Sequence, residues 1–176
     1  MYSRIPMPKV EWTEDALRYA LWMLPLVGLL EGVFLSLWWW FSSICALPDS
    51  LVWIGFVLLP VLYTGGIHLD GFCDTVDALA SHADREKKLE ILKDPHIGAF
   101  AAIGLVCYLL FQGALWATIN PSFELMCSVT AGIVLTRVIG AGSLIFLPKA
   151  KKEGLGQTFA GSASKKGAGL WFGALL

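Results

Sequence analysis

Charge is what this sequence has least of. Only 15% of its 176 residues are Asp, Glu, Lys or Arg, against 56% hydrophobic residues, and the mean hydropathy is +0.66. Soluble domains carry about 25% charged and about 45–50% apolar residues, so this balance belongs to a membrane protein and excludes a disordered chain. A cation excess is also missing. Thirteen Lys+Arg face 14 Asp+Glu, a net charge of −1 that gives no bulk attraction to polyanions and excludes a nucleic-acid binder. The four cysteines, Cys45, Cys73, Cys107 and Cys127, form no CxxC pair, so their spacing encodes neither a zinc site nor a disulfide framework. They read as small hydrophobes. No internal repeat, low-complexity tract or linker divides residues 1–176, which are expected to form a single membrane-embedded domain.

What the chain does have is long apolar runs, at residues 16–46, 51–69, 97–119 and 125–147, with a fifth starting at 167. Each of the four is near or above the roughly 20 residues that a helix needs to cross the hydrocarbon of a bilayer. The expected fold is an all-α, polytopic membrane helical bundle in contact with lipid. It would have four full transmembrane helices, the start of a fifth, and cytoplasmic loop helices. The first run opens from a charged segment and holds Pro25 and Glu31, which suits a retained, kinked span and not a cleavable signal peptide.

The loops sort the charges. The tight turns 47–50 and 120–124 carry Pro48 and Pro121 but no cation, whereas 12 of the 13 Lys+Arg fall before the first run or in its charged opening, where Arg18 stands, or in the long polar segments 70–96 and 148–166. The positive-inside rule then places the N-terminus and both long loops in the cytoplasm.

Within residues 64–77, TGGIHLDGFCDTVD, three carboxylates stand at i, i+4 and i+7: Asp70, Asp74 and Asp77. On a helix that spacing puts all three on one face. At the end of an apolar run their repulsion is sharpened by desolvation, and no neighbouring cation occurs before Arg85. A divalent metal is the economical counter-charge, and oxygen-only ligands favour Mg²⁺, or Mn²⁺, over zinc. A second acidic pair, Glu90 and Asp94, follows at i, i+4 within a segment that also reads as a solvated amphipathic loop helix. If the two acidic sets meet, they suit phosphoryl transfer on a metal-bound pyrophosphate. His68 suits a metal ligand, a phosphate contact or a general base. Gly65-Gly66 permits a close backbone approach or a break in the helix.

Two charges lie inside spans, Glu31 and Arg137. Unpaired they would be expensive, so either they pair with each other or Arg137 reaches a polar cavity and binds substrate phosphate. Residues 149–157, KAKKEGLGQ, suit either a grip on an anionic substrate, with Lys152 among its cations, or an ordinary positive-inside flank.

TGGIHLDGFCDTVD closely resembles the TGGxHLDGxxDTxDG signature of the cobalamin synthase (adenosylcobinamide-GDP ribazoletransferase) family. LEILKDPHIG at 89–98 resembles that family's LEIMKDSRxG, RIPMP at 4–8 its R-[IL]-P-x-P, and KAKKEGLG its AR-x-EGLG segment. The resemblance spans nearly the whole chain in family order. It implies an integral inner-membrane, Mg²⁺-dependent transferase that joins adenosylcobinamide-GDP to α-ribazole, or to its 5′-phosphate, and releases GMP. The motif positions carried over are His68, Asp70, Asp74, Asp77, Glu90, Lys93 and Asp94. The departures are Ala78 for Gly, Cys73 for Ala, and Pro95-His96 for Ser-Arg. The family's GDxLGA segment does not occur in these 176 residues, so the expectation is a chain truncated at its C-terminus relative to the family.

The expected mechanism has Mg²⁺ on Asp70, Asp74, Asp77 and Asp94. Lys93, Arg137 and Lys152 are the candidate phosphate contacts, and Glu90, Asp94 or His68 takes the proton. The rivals are a CDP-alcohol phosphotransferase, whose D-x2-DG-x2-AR opening lacks its Ala-Arg here, and a cation transporter using Glu31 and the Asp cluster. Transport sites usually sit near the bilayer midplane, whereas five of these six acids lie at or beyond a span's end. The sequence leaves oligomeric state open, a homo-oligomer included.

Overall fold

The computed structural model describes residues 21–147, and every regular element among them is a helix. In chain order these are α1 (Leu24–Ile44), α2 (Asp49–Thr64), α3 (Ile67–Ala80), α4 (Arg85–Ile91), α5 (Ala99–Thr118) and α6 (Phe123–Phe146). Local chemistry sets several boundaries. Pro25 falls in the first turn of α1, where its missing N–H costs no helical bond, so it starts the helix and does not kink it. Asp84 caps α4 by accepting the Lys87 N–H at 2.8 Å, and Ser122 caps α6 by accepting that of Leu125 at 3.2 Å.

α1, α5 and α6, with 21, 20 and 24 residues, are long and apolar enough to cross a membrane. At a rise of about 1.5 Å per residue each covers about 30 Å or more. Their surfaces carry large apolar side chains such as Phe34, Ile103, Leu110, Phe111 and Ile139, while polar Glu31, Ser42 and Thr64 are buried. That inside-out distribution suits hydrocarbon as the solvent.

The run 51–69, expected as one continuous span, is divided. α2 stops at Thr64 and α3 leaves at 93° to it. The all-helical class holds, with three continuous spans and one bent pair among the described residues. The expected fifth span, from 167, lies outside those residues.

The described residues fall into two compact units. In the unit formed by Leu37–Pro121, α3 packs chiefly on α5, which also receives α2. Phe56 stacks on Trp116 with ring centroids 4.3 Å apart, and Phe72 meets Tyr108 at 5.3 Å. Gly104 of α5 admits Val76 of α3, whose Cγ1 lies 3.1 Å from where a β-carbon would stand. In the other unit, residues 21–36 pair with 122–147. There Gly28 and Gly32, one turn apart on α1, let the backbone and side chains of α6 approach closely. Glu31 sits between them in sequence, and its carboxylate meets Arg137 of α6 at 2.6 Å, with side chains only 7% and 17% exposed.

Candidate active site

The glycine pair builds the floor of the site. Gly66 N–H donates to the Val61 carbonyl at 2.9 Å and Gly65 N–H to that of Leu62 at 3.3 Å, the paired bonds of a Schellman helix end. Both glycines are left-handed, at φ 66° and 82°, a region that other L-residues enter at a cost. Gly66 then serves as N-cap of α3, and its carbonyl accepts the Asp70 N–H at 2.9 Å. Of the two roles open to Gly65-Gly66 in the sequence, the break is the one realised.

Beyond the bend, α3 presents its acids on one face, as the i, i+4, i+7 spacing predicts. Asp70, Asp74 and Asp77 all line a cavity of about 730 Å³, and residues 92–97 of the connector line it too. Lys93, Asp94 and His96 belong to that connector lining, so of the second acidic pair Asp94 reaches the cavity and Glu90 does not. The connector is braced locally. Asp94 Oδ1 accepts the His96 N–H at 2.9 Å, and His96 Nδ1 lies 2.6 Å from the same oxygen. These bonds, the backbone one foremost, hold the Asp94 carboxyl below the usual carboxylate range. The His96 ring, where the resembled family has Arg, is thus turned onto Asp94.

Asp77 is engaged differently from its two companions. Its Oδ2 accepts the Gly98 N–H at 2.6 Å and its Oδ1 the Ala101 N–H at 2.8 Å. Gly98 is the N-cap of α5 and has no side chain of its own to accept these protons. The carboxylate of α3 therefore caps α5 from 21 and 24 residues away in sequence, aided by the positive end of the helix dipole. Charge-assisted bonds of this kind are worth about 1.5–3 kcal/mol. Spacing alone could not reveal it, because a capping and a ligating carboxylate look the same in an acidic run.

The remaining sequence candidates are placed as follows. Glu90 is bound by Lys87 at 2.8 Å on the exposed surface of α4, outside the cavity lining, and this contact raises the Lys87 ammonium pKa. His68 is exposed on α3 and does not line the cavity. Arg137 is paired with Glu31, one of the two readings that the sequence left open. Lys152 lies outside the described residues. The lining also includes Cys73 and the glycine pair, whose motif position was the signal available beforehand.

The donor chemistry suits a hard cation, since the cavity offers carboxylate oxygens and a nearby cationic Lys93 for phosphate. Among the described residues no three His, Cys, Asp or Glu converge on one metal-sized point. The lining would therefore suit a hard cation held by one or two carboxylates and completed by water, and not a closed protein cage.

Residues 1–176 match the family described as cobalamin-5-phosphate synthase. Similar curated proteins include the adenosylcobinamide-GDP ribazoletransferase of Lachnoclostridium phytofermentans, 36% identical over 166 residues, covering 94% of this chain and 63% of the relative. That of Treponema denticola is 38% identical over 175 residues, covering 97% and 64%. That of Clostridium perfringens is 34% identical over 170 residues, covering 96% and 65%. The chain thus spans a little under two thirds of the length of these relatives. No solved structure matches it significantly. The full-length family match, the identities and the meeting of the two quoted motifs at one acidic cavity agree, and the chain belongs to the cobalamin-5-phosphate synthase family.

Proposed function

We propose that this chain carries the catalytic cavity of an adenosylcobinamide-GDP ribazoletransferase, which makes adenosylcobalamin, or its phosphate, with release of GMP. The observation that carries the reading is the convergence of Asp70, Asp74, Asp94 and Lys93, drawn from two separate motifs, on one cavity. Its volume of about 730 Å³ falls within the range of small-molecule sites and suits the pyrophosphate with an attached sugar, the corrin ring lying outside.

In this reading a ribose hydroxyl of α-ribazole other than the 5′ one, which is esterified in the 5′-phosphate, attacks the cobinamide-linked phosphorus. The new P–O bond forms as the P–O bond to the bridging oxygen breaks, and GMP leaves with that oxygen. Asp94 is the assigned proton acceptor because, of the three candidates, it alone lines the cavity. A weak carboxylate base suits a loose phosphoryl transition state, in which the nucleophile is mainly oriented. Lys93 faces the phosphate charge. Asp70 and Asp74 would hold Mg²⁺, which supplies positive charge to the pyrophosphate oxygens when bound.

The bent α2–α3 pair is taken as a fourth span, in the bacterial inner membrane. Cations at 85, 87, 88 and 93 on the α3–α5 connection, with none at 47–50 or 120–124, support a cytoplasmic cavity. The transporter reading gains no support, since Glu31 is tied to Arg137, and the family match favours neither rival.

The test supplies the chain, in detergent or membranes, with adenosylcobinamide-GDP, α-ribazole and Mg²⁺. GMP and a cobalamin product in equal amounts are expected, and Asp74→Ala should abolish both while leaving the protein folded. GMP release that does not depend on α-ribazole, or normal turnover by Asp74→Ala, sinks the proposal.

A further inference from the structure

We propose that Asp77, the third acid of the run, is a positioning residue and not a metal ligand. It latches α3 to the start of α5 and so holds the 92–97 connector over the cavity. Both of its oxygens are committed to backbone N–H groups, of Gly98 at 2.6 Å and Ala101 at 2.8 Å. The shape of position 98 bears on the same contact. A β-carbon on Gly98 would lie 2.6 Å from each Asp77 carboxylate oxygen and 2.8 Å from Cγ, closer than real contacts allow. The Gly98 backbone sits at φ −83°, ψ 169°, which any residue adopts, so conformational freedom is not why glycine stands there. Glycine leaves the room that the carboxylate fills. The last acid of TGGIHLDGFCDTVD and the last glycine of LEILKDPHIG are thus two halves of one contact.

The consequence for the site is direct. Lys93, Asp94 and His96 lie on the connector that enters α5 at Gly98, and their position against Asp70 and Asp74 depends on where α5 begins. Asp77 acts on them through that helix end. Its importance to turnover rests on the function proposed above, whereas the latch itself does not.

The test uses the full chain in detergent micelles, with two readouts that need no substrate. Amide hydrogen exchange of the segment 95–103 reports the latch, and Mn²⁺ binding followed by its electron paramagnetic signal reports the metal carboxylates. Asp77→Ala should speed exchange at the Gly98 and Ala101 amides by at least about tenfold, and Asp77→Asn, which keeps one acceptor oxygen, should speed it less. Mn²⁺ affinity should stay within about twofold for Asp77→Asn but fall at least about tenfold for Asp70→Asn and Asp74→Asn. Gly98→Ala should mimic Asp77→Ala in the wild-type background and add nothing to it in the double variant, because the collision is then gone. Unchanged exchange in Asp77→Ala, additive effects of the two substitutions, or loss of Mn²⁺ by Asp77→Asn equal to that of Asp74→Asn each overturns the proposal. A wild-type chain that binds no Mn²⁺ would count against the metal reading of Asp70 and Asp74, and the exchange and double-variant results would still decide the latch.

Discussion

The Glu31 carboxylate and the Arg137 guanidinium, 106 residues apart, meet at 2.6 Å between α1 and α6 with both side chains largely withdrawn from solvent. In an apolar environment neither charge is tolerable without the other, so removing one leaves the second uncompensated. Arg137→Met or Glu31→Leu alone should destabilise the chain by about 3–5 kcal/mol, and the double variant by less than either single one. Denaturant unfolding in mixed micelles gives the cycle. Additive losses would mean that the two charges are not coupled.

The bend at Gly65-Gly66 yields a second prediction. A β-carbon on Gly66 would meet nothing within 4 Å, so substitution there is opposed only by its φ of 82°. Gly66→Ala should cost about 1–2 kcal/mol, while Gly66→Asn should cost less, because Asn enters the left-handed region more readily. Equal losses for Ala, Asn and Val would show that conformation is not the reason for glycine at this position.

What the sequence made legible follows the range of each interaction. The common face of Asp70, Asp74 and Asp77 is a matter of helical period, and the break at Gly65-Gly66 of local backbone freedom, so both could be read from neighbouring letters. The burial of Glu31 and Arg137 was readable from the apolar runs around them, but their pairing needed two distant helices to be placed. Asp77 shows the limit most clearly. Its periodicity put it with the metal candidates, whereas its partners, Gly98 and Ala101, are fixed only when α3 packs on α5. The division of 51–69 was legible at the glycines, but its 93° angle was not, because no local signal says where α3 then packs.

Asp94 sets a pH dependence. Its bonds to the His96 N–H and ring lower its pKa in the folded chain, so the ionised form stabilises the fold. That contribution is fully present above the unfolded carboxylate pKa and is lost as pH falls through the lower folded value. The backbone N–H is the leading cause, so His96→Ala should raise the Asp94 pKa only partly, and His96→Pro, which removes that donor, should raise it further. Carboxyl ¹³C titration of Asp-labelled protein measures both. An equal rise in the two variants would place the effect on the ring instead.

Lys93 and Lys87 lie six residues apart and face different tasks. Lys93 lines the cavity, whereas Lys87 is engaged by Glu90 on the exposed surface of α4. A cation that contacts the substrate pyrophosphate contributes a charge-assisted bond, which an exposed surface pair does not replace. On the function proposed above, Lys93→Gln should raise KM for adenosylcobinamide-GDP by about 10- to 100-fold, and Lys87→Gln should change it by no more than about twofold. The comparison also controls for positive charge near the membrane, because both variants lose one cation from the same loop segment. Equal rises in KM would show that the loop acts through its general potential, and would remove Lys93 from the phosphate contacts.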